Sequence, residues 1–101
     1  MWYLTLHRFT GEERPGKDVI DEHIKWMAEQ KRTGKMLVNG PSGDRSTGIV
    51  VYGPMPEDEL RKVLDTDPLI VSGLREYKVY PWEVHHVDLE SITTLVSAAH
   101  A

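Results

Sequence analysis

The strongest candidates for acid–base chemistry in this chain are His23 and Asp67. Histidine titrates near neutrality, so a small change of environment suits its imidazole to accept or donate a proton. A carboxylate such as that of Asp67 can hold one tautomer of a histidine ring and stabilise its cation. His23 lies between Ile20 and Met27 on one apolar stripe, where a histidine is also commonly a structural residue. We predict a catalytic pair if Asp67 reaches His23, and two structural residues otherwise.

Asp67 also has a simple structural explanation. It precedes Pro68, which suits the first position of a helix, and an aspartate there can accept hydrogen bonds from the free N–H groups. The segment therefore predicts one short helical turn that begins at Asp67 and ends at Gly73. Because a carboxylate has two oxygens, we expect one to cap the turn and the other to face His23. Asp65 is a second candidate carboxylate, but its position at a helix end favours the surface.

Six further residues are predicted to bind the substrate around this pair. Asn39 could donate a hydrogen bond to an enolate oxygen, and Gly40 lets a ligand approach the backbone closely. A plain hairpin turn explains the same two residues, and their sequence slightly favours that simpler explanation. The predicted substrate-binding residues are Tyr3, His7, Trp26, Asn39, Gly40 and Tyr52.

One group of residues near the C-terminus invites a metal interpretation. His85 and His86 lie close in sequence to Glu83 and Asp88. Zinc sites need paired ligands at tight spacing and a second cluster, which are missing here, so we predict no metal site. P-loop, GxGxxG and Gly-x-Ser-x-Gly motifs are absent as well. The chemistry expected of a histidine–aspartate pair requires no cofactor.

The composition limits the class of protein. The 101 residues, of which 40% are apolar and 28% charged, predict a single globular domain with a modest core. A net charge of −4 argues against a nucleic-acid interface, which needs a basic surface. The chain has no cysteine, no apolar run of membrane-spanning length and no basic start of a signal peptide. We predict a cytoplasmic protein with neither membrane nor nucleic acid as a partner.

Hydrophobic periodicity predicts four strands and two main helices. The strands are expected over 2–9, 36–39, 47–52 and 74–82, and the helices from about 17 to 33 and from 57 onward. This order is that of the ferredoxin-like βαββαβ fold, an α+β arrangement with a four-stranded antiparallel sheet and two helices on one face. We assign this domain to residues 1–84. Residues 85–101 are a C-terminal extension, expected to form a short helix capped by Asp88 and to fray over 98–101.

The alternation of side chains along the first strand predicts two different sheet faces. We expect one set on the helix side, which is Trp2, Leu4 and Leu6. The polar and aromatic set is expected on the uncovered side and consists of Tyr3, Thr5, His7 and Phe9. The β-branched run 49–51 is expected to be buried on both faces. An uncovered sheet face on a small domain indicates association. Two such sheets would pack into a dimeric α+β barrel whose cavity holds the site.

Several of these motifs together resemble the YCII-related family. They are His23, the Gly34 break, Asn39-Gly40-Pro41, Gly48-Ile49-Val50-Val51, and above all Asp65-x-Asp67-Pro68…Gly73 followed by Tyr77-x-Val79-x-Pro81-Trp82. The resemblance covers roughly residues 2–84. It implies a dimeric α+β barrel, similar in fold to muconolactone isomerase and small antibiotic-biosynthesis monooxygenases. It also implies a site built on a histidine and an aspartate, which map to His23 and Asp67.

Three functional hypotheses follow. One member of the family is a dehydrochlorinase that acts on a chlorinated hydroxyhydroquinone, and most members have no settled activity. The first hypothesis is an enzyme of lyase or isomerase type that moves a proton on a small aromatic or enolisable molecule without a cofactor. The second is a non-catalytic module that binds a ligand or a protein, and the third is a cofactorless monooxygenase. The expected partners are a small-molecule substrate and further copies of the chain, in a homodimer or a higher homo-oligomer.

Overall fold

The computed structural model describes residues 1–99, which form four strands and four helices. The strands are β1 (Trp2–Phe9), β2 (Met36–Pro41), β3 (Gly48–Tyr52) and β4 (Arg75–Trp82), and the helices are α1 (Lys17–Arg32), α2 (Glu57–Leu64), α3 (Pro68–Val71) and α4 (Leu89–Ala99). Every predicted strand and helix is present. β2 extends beyond the predicted 36–39 because Gly40 and Pro41 still pair with β3.

The strands form one antiparallel sheet in the order β2-β3-β1-β4. β1 is central, with Tyr3 opposite Tyr52 on one side and opposite Pro81 on the other. Both α1 and α2 contribute to one hydrophobic cluster against the same face of this sheet. The predicted ferredoxin-like α+β arrangement is therefore confirmed.

One stripe of α1 packs against the rest of the domain, as its periodicity predicted. The residues at spacings of three and four along the helix are half-buried or buried, whereas its other positions are exposed. These residues are Val19, Ile20, His23, Trp26, Met27 and Gln30. The stripe places His23 between the helix and the sheet.

The short helix α3 begins and ends as the sequence indicated. The Asp67 side chain accepts a hydrogen bond from the Leu69 N–H at 3.0 Å, and Pro68 occupies the first helical position. Gly73 follows the helix with a φ of +77° and donates its N–H to the Ile70 carbonyl at 3.0 Å. A glycine adopts this left-handed conformation without steric cost, so it ends the turn cleanly.

The predicted assignment of the two faces of β1 is wrong. Tyr3, Thr5 and His7 are 4%, 0% and 4% exposed and face the helices, whereas Trp2 and Leu4 are half-buried on the open side. The Tyr3 hydroxyl finds a partner inside the domain, because it donates to the Met55 carbonyl at 2.8 Å. Alternation separates the two sets of side chains but does not say which face the helices cover.

The prediction of a β3 strand buried on both faces is also wrong. Val50 is buried beneath the helices, but Ile49 is 37% exposed and Val51 half-buried on the open face. The buried core lies only on the helix side and consists of Tyr3, Met36, Val50, Tyr52, Leu60 and Leu64. The open face therefore carries apolar side chains that the described chain leaves uncovered.

The C-terminal helix α4 is the least packed element. Asp88 caps it as predicted, because its carboxylate accepts from the Ser91 N–H at 2.9 Å. Its apolar side chains remain largely exposed: Leu89, Ile92, Leu95 and Val96. Ala98 and Ala99 belong to the helix, and the rest of the predicted frayed end, 100–101, lies outside the described residues. Within residues 1–99, no helix is long and apolar enough to cross a membrane.

Candidate active site

His23 and Asp67 are in direct contact. The Nδ1 atom of His23 lies 2.7 Å from Oδ1 of Asp67, although the residues are 44 positions apart in sequence. The Asp67 side chain is 2% exposed and that of His23 is 12% exposed. A carboxylate can only accept, so the proton of a neutral His23 lies on Nδ1 and its Nε2 is free to accept another.

A single oxygen of Asp67 serves both of its functions. Oδ1 accepts from the Leu69 N–H at the start of α3 and also contacts Nδ1 of His23. The expectation that one oxygen would cap the helix while the other faced the histidine is therefore wrong. Sharing one atom ties the position of the histidine ring to the start of α3.

A second contact beside this pair fixes α1 in place. Trp26, one turn after His23, donates its Nε1–H to the Thr66 hydroxyl at 2.9 Å. The His23 and Trp26 rings are nearly parallel, with an interplanar angle of 16° and centroids 6.1 Å apart. Two consecutive residues, Thr66 and Asp67, thus hold two side chains of α1, and this restricts rotation of the imidazole.

A cavity of about 320 Å³ lies between α1 and the helix-facing side of the sheet. Its wall includes His23, Asp67 and five of the six predicted substrate-binding residues, which are His7, Trp26, Asn39, Gly40 and Tyr52. The sixth, Tyr3, lies in the hydrophobic core and does not line the cavity. This cavity lies within one chain, on the helix side of the sheet, and the predicted barrel between two packed sheets stays a prediction.

His7 is a neutral histidine on the floor of the cavity. Burial, and to a smaller extent the nearby Arg75 guanidinium, lower its pKa from 6.5 to about 4. Its Nε2 lies 2.8 Å from the Thr5 hydroxyl, and its Nδ1 has no hydrogen-bond partner among the described residues. A buried polar atom without a partner costs free energy, so Nδ1 is a candidate ligand contact.

Tyr52 and Asn39 occupy different depths of the cavity. Tyr52 is fully buried, burial raises the pKa of its phenol, and its hydroxyl has no partner in the described part of the chain. The hydroxyl therefore stays protonated and available as a donor. Asn39 is exposed at the rim, where its side-chain amide lies 3.0 Å from the Met36 sulfur. Asp65, the alternative carboxylate, accepts from the Tyr77 hydroxyl at 2.7 Å and does not line the cavity.

Sequence reasoning missed Arg75, whose side chain lines the same cavity. Arg75 is the first residue of β4 and lies opposite Phe9 of β1. It is in phase with Tyr77 and Val79, so the period of two places all three on one face. That signal was present in the sequence, but it becomes useful only once the helices are known to cover this face.

A sequence model described as the YCII-related domain matches residues 1–83. The chain belongs to the YCII-related family. The match spans β1 to β4 and includes both members of the histidine–aspartate pair, and it leaves α4 outside. A search of curated proteins found no match.

A solved structure of a YCII-like fold supports the architecture. The chain is similar to 5-chloro-2-hydroxyhydroquinone dehydrochlorinase from Burkholderia phenoliruptrix AC1100, determined in complex with 2,5-dihydroxybenzoquinone. The similarity covers 84% of this chain and 96% of that one, with a TM-score of 0.61 and 21% sequence identity. At this level of identity, the likeness establishes the fold alone.

Proposed function

We propose that this YCII-related protein is an enzyme that moves a proton on a small aromatic or enolisable molecule. The observation that carries the proposal is the 2.7 Å contact between Nδ1 of His23 and the buried Asp67 carboxylate on the wall of a cavity. The cavity volume lies at the lower end of the range for small-molecule sites, which suits a one-ring ligand. Elimination, isomerisation and rearrangement are the reaction types within this proposal.

The two residues divide the proton transfer between them. Nε2 of His23 removes a proton from the substrate, and the Asp67 carboxylate stabilises the imidazolium that forms. In an elimination, the electron pair of the broken C–H or O–H bond forms the new double bond and the leaving group departs with its own bonding pair. His23 then returns the proton to solvent or to the product. A general base of this kind accelerates a reaction by a factor on the order of 10²–10⁴. The base, His23, and its stabilising partner, Asp67, both belong to this chain.

The similar dehydrochlorinase suggests the first substrates to examine. The name of that enzyme gives its substrate as a chlorinated hydroxyhydroquinone, which is a flat and readily oxidised phenol. Trp26, Met27 and Ile20 supply the broad apolar wall against which such a ring can pack. We therefore place chlorinated and hydroxylated hydroquinones at the head of a panel of small enolisable molecules.

The proposal is tested by comparing the wild type with His23→Gln. Chloride release from 5-chloro-2-hydroxyhydroquinone and isomerisation of the enolisable panel are measured, and binding of 2,5-dihydroxybenzoquinone is followed by its visible absorbance. We expect turnover to fall by about 100-fold or more while binding persists. The matched control His86→Gln alters an exposed histidine outside the cavity and should leave turnover unchanged. Full turnover by His23→Gln would contradict the proposal.

A non-catalytic binding module is the second candidate. The observation that favours it is the double use of Asp67 Oδ1, since one atom holds His23 and caps α3. In that case His23→Ala and Asp67→Ala would each lower the free energy of unfolding by several kcal/mol, a large part of the roughly 5–15 kcal/mol expected of a domain. Normal unfolding combined with lost turnover would favour the enzyme.

We further propose that the chain forms a homodimer or a higher homo-oligomer through the open face of the sheet. Supporting this are the apolar side chains exposed there, among them Val38, Tyr80 and Trp82 at 60%, 47% and 44% exposure. Exposed apolar surface of this kind is typical of an association site.

A further inference from the structure

Arg75 contributes a half-buried cation to the wall of the cavity. Its side chain makes no hydrogen bond and no ion pair within residues 1–99, although it lines the cavity beside His7 and Tyr52. Arginine side chains that lose part of their hydration are usually paired with an acid or bound to carbonyl groups. The guanidinium therefore has donors to offer to a group that is not part of the folded chain.

The strand beneath Arg75 leaves room for its guanidinium. Gly48 of β3 lies opposite His7, and a methyl group added at Gly48 would overlap a guanidinium nitrogen of Arg75. Only a residue without a side chain allows the guanidinium to lie over the backbone at this point. The glycine at position 48 thus leaves the space that the Arg75 guanidinium occupies in the cavity wall.

Asp67 is the acid whose charge acts on Arg75, and its carboxylate already forms hydrogen bonds with other groups. Burial lowers the pKa of Arg75, and the charge of Asp67 partly offsets this. Oδ1 of Asp67 is shared by His23 and the Leu69 N–H, and Asp67 forms no ion pair with Arg75. An arginine stays protonated even when partly buried. The cavity wall therefore carries the positive charge of Arg75 beside the Asp67 carboxylate, which hydrogen-bonds other groups, while His7 is kept neutral by burial and adds no further charge.

We propose that Arg75 binds the anionic oxygen of the substrate and that the cavity selects small planar acids over their neutral analogues. This inference rests on the proposed function, since it names the class of substrate that the His23–Asp67 pair would act on: a carboxylate, phenolate or enolate. The protonated Tyr52 hydroxyl, also on the cavity wall and without a partner, is the second donor to that oxygen. A planar guanidinium can form two parallel hydrogen bonds with a carboxylate, which fixes the ligand in the plane of the cation.

The direct test is binding of matched acids and amides. Benzoate, salicylate and 4-hydroxybenzoate, each beside its amide, are titrated up to millimolar concentration by ligand-observed NMR. The Arg75 Nε–H resonance, assigned by its loss in Arg75→Met, is followed in the same titrations. We expect the acids to bind, to shift this resonance and to bind roughly 10- to 100-fold more weakly to Arg75→Met. Arg75→Lys should lose less, because it keeps the charge and loses only the planar geometry.

Two control variants separate the site from general effects of charge. Arg32→Met removes an exposed arginine that pairs with Glu29 on α1, and it should not change acid binding. Gly48→Ala keeps every charge but displaces the guanidinium, so it should weaken acid binding nearly as much as Arg75→Met. Gly43→Ala adds the same methyl group where nothing lies within 4 Å, and it should have no effect.

The outcomes distinguish this inference from the proposed function. Failure of every acid to bind, equal binding of acids and amides, or unchanged binding by Arg75→Met would each overturn the role of Arg75. His23→Gln should retain the preference for acids, because the anion binds away from the base. Loss of turnover in His23→Gln without any preference for acids would support the enzyme and reject the anion site.

Discussion

On the helix-facing side of the sheet, β1 and β4 bury polar groups such as Thr5, His7 and Arg75, whereas on the open side β4 exposes Tyr80 and Trp82. The buried face is thus more polar than a core requires, and the exposed face more apolar than a surface requires. Burying polar groups costs free energy unless they find partners. Exposing apolar groups leaves a surface prone to association. This difference is the basis of our proposals that a ligand binds on one face and that another copy of the chain covers the other.

Some polar atoms on the buried face have lost their hydration without gaining a hydrogen bond from the described residues. His7 Nδ1 and the Tyr52 hydroxyl are buried without partners among the described residues. By contrast, the Tyr3 and Thr5 hydroxyl groups, which do not line the cavity, donate to the Met55 and Val50 carbonyl groups. A third such atom, Gln30 Oε1, belongs to a residue outside the cavity wall, so two of the three buried atoms without partners in the described residues lie where a ligand could satisfy them.

The largest effect should come from Asp67→Asn on the buried face. Asparagine caps a helix about as well as aspartate, so the free energy of unfolding should change by no more than about 1 kcal/mol. The amide cannot stabilise the His23 cation, so turnover should fall by roughly 10²- to 10⁴-fold. Turnover of the substrate found in the hydroquinone panel and urea unfolding measure the two quantities separately.

Asp88→Asn is the matched control for this change. Asp88 caps α4 by the same type of backbone contact but lies far from the cavity. It should leave both turnover and the position of His23 unaffected. If Asp67→Asn instead lost several kcal/mol of stability and kept its turnover, the pair would be structural and the two faces would differ in packing alone.

Features fixed by neighbours in sequence could be predicted. Asp67 and Pro68 are adjacent and specify a helix start by themselves, and His23 falls on the buried stripe of α1 because of spacing alone. The order of strands and helices, which also follows from local sequence patterns, was sufficient to predict the ferredoxin-like sheet. The contact between His23 and Asp67 spans 44 positions and was predicted from the resemblance to the family.

Features that depend on which face is covered could not be predicted. A period of two sorts Tyr3 and Leu4 onto opposite faces, but the pattern is the same whichever face the helices cover. The aliphatic side chains of β1 were placed inside because burial of apolar groups is the general rule, whereas the helices cover Tyr3, Thr5 and His7. Arg75 escaped notice for the same reason, since a basic residue on an outer face needs no explanation.

The next largest effect should come from Tyr80→Glu on the open face. If this face joins copies of the chain, a carboxylate buried there without a partner should weaken the assembly by about 100-fold or more. Size-exclusion chromatography with light scattering over a range of protein concentrations measures the change. Val71→Glu is the control, because Val71 is an exposed apolar residue that lies on α3 and not on the open face of the sheet. A wild type that is monomeric at all concentrations would contradict the role given to the open face.

Acid should destabilise the buried face through His7. Its pKa is about 4 in the folded chain and 6.5 ordinarily, so between these values the unfolded chain binds the extra proton. The free energy of unfolding should therefore be unaffected by His7 above about pH 6.5 and fall as the pH decreases towards 4. The ceiling on this loss is about 3 kcal/mol, at roughly 1.4 kcal/mol per pKa unit.

Urea unfolding between pH 4 and 8 tests this dependence. His7→Gln should flatten the decline between pH 6.5 and 4, whatever its effect on stability at neutral pH. His85→Gln, which changes an exposed histidine, should leave the decline as it is in the wild type. An unchanged decline in His7→Gln would mean that His7 is already charged or accessible to water in the folded state.

The smallest effect should come from Tyr52→Phe, and its sign is informative. The Tyr52 hydroxyl is buried on the helix side without a partner, so its removal relieves a desolvation cost and leaves the ring in place. We expect the free energy of unfolding to rise by up to about 1 kcal/mol. If the hydroxyl is kept for a ligand, the same variant should bind small aromatic acids several-fold more weakly.

Tyr80→Phe makes the same chemical change on the open face. Tyr80 is 47% exposed in the single chain, so the fold itself imposes little desolvation on its hydroxyl, and the free energy of unfolding of the monomer should change by less than about 0.5 kcal/mol. A stability gain confined to Tyr52→Phe, together with weaker acid binding, would mean that the buried face sacrifices stability for a ligand. A loss of stability in Tyr52→Phe would instead mean that the hydroxyl is hydrogen-bonded in the folded chain and contributes to the core.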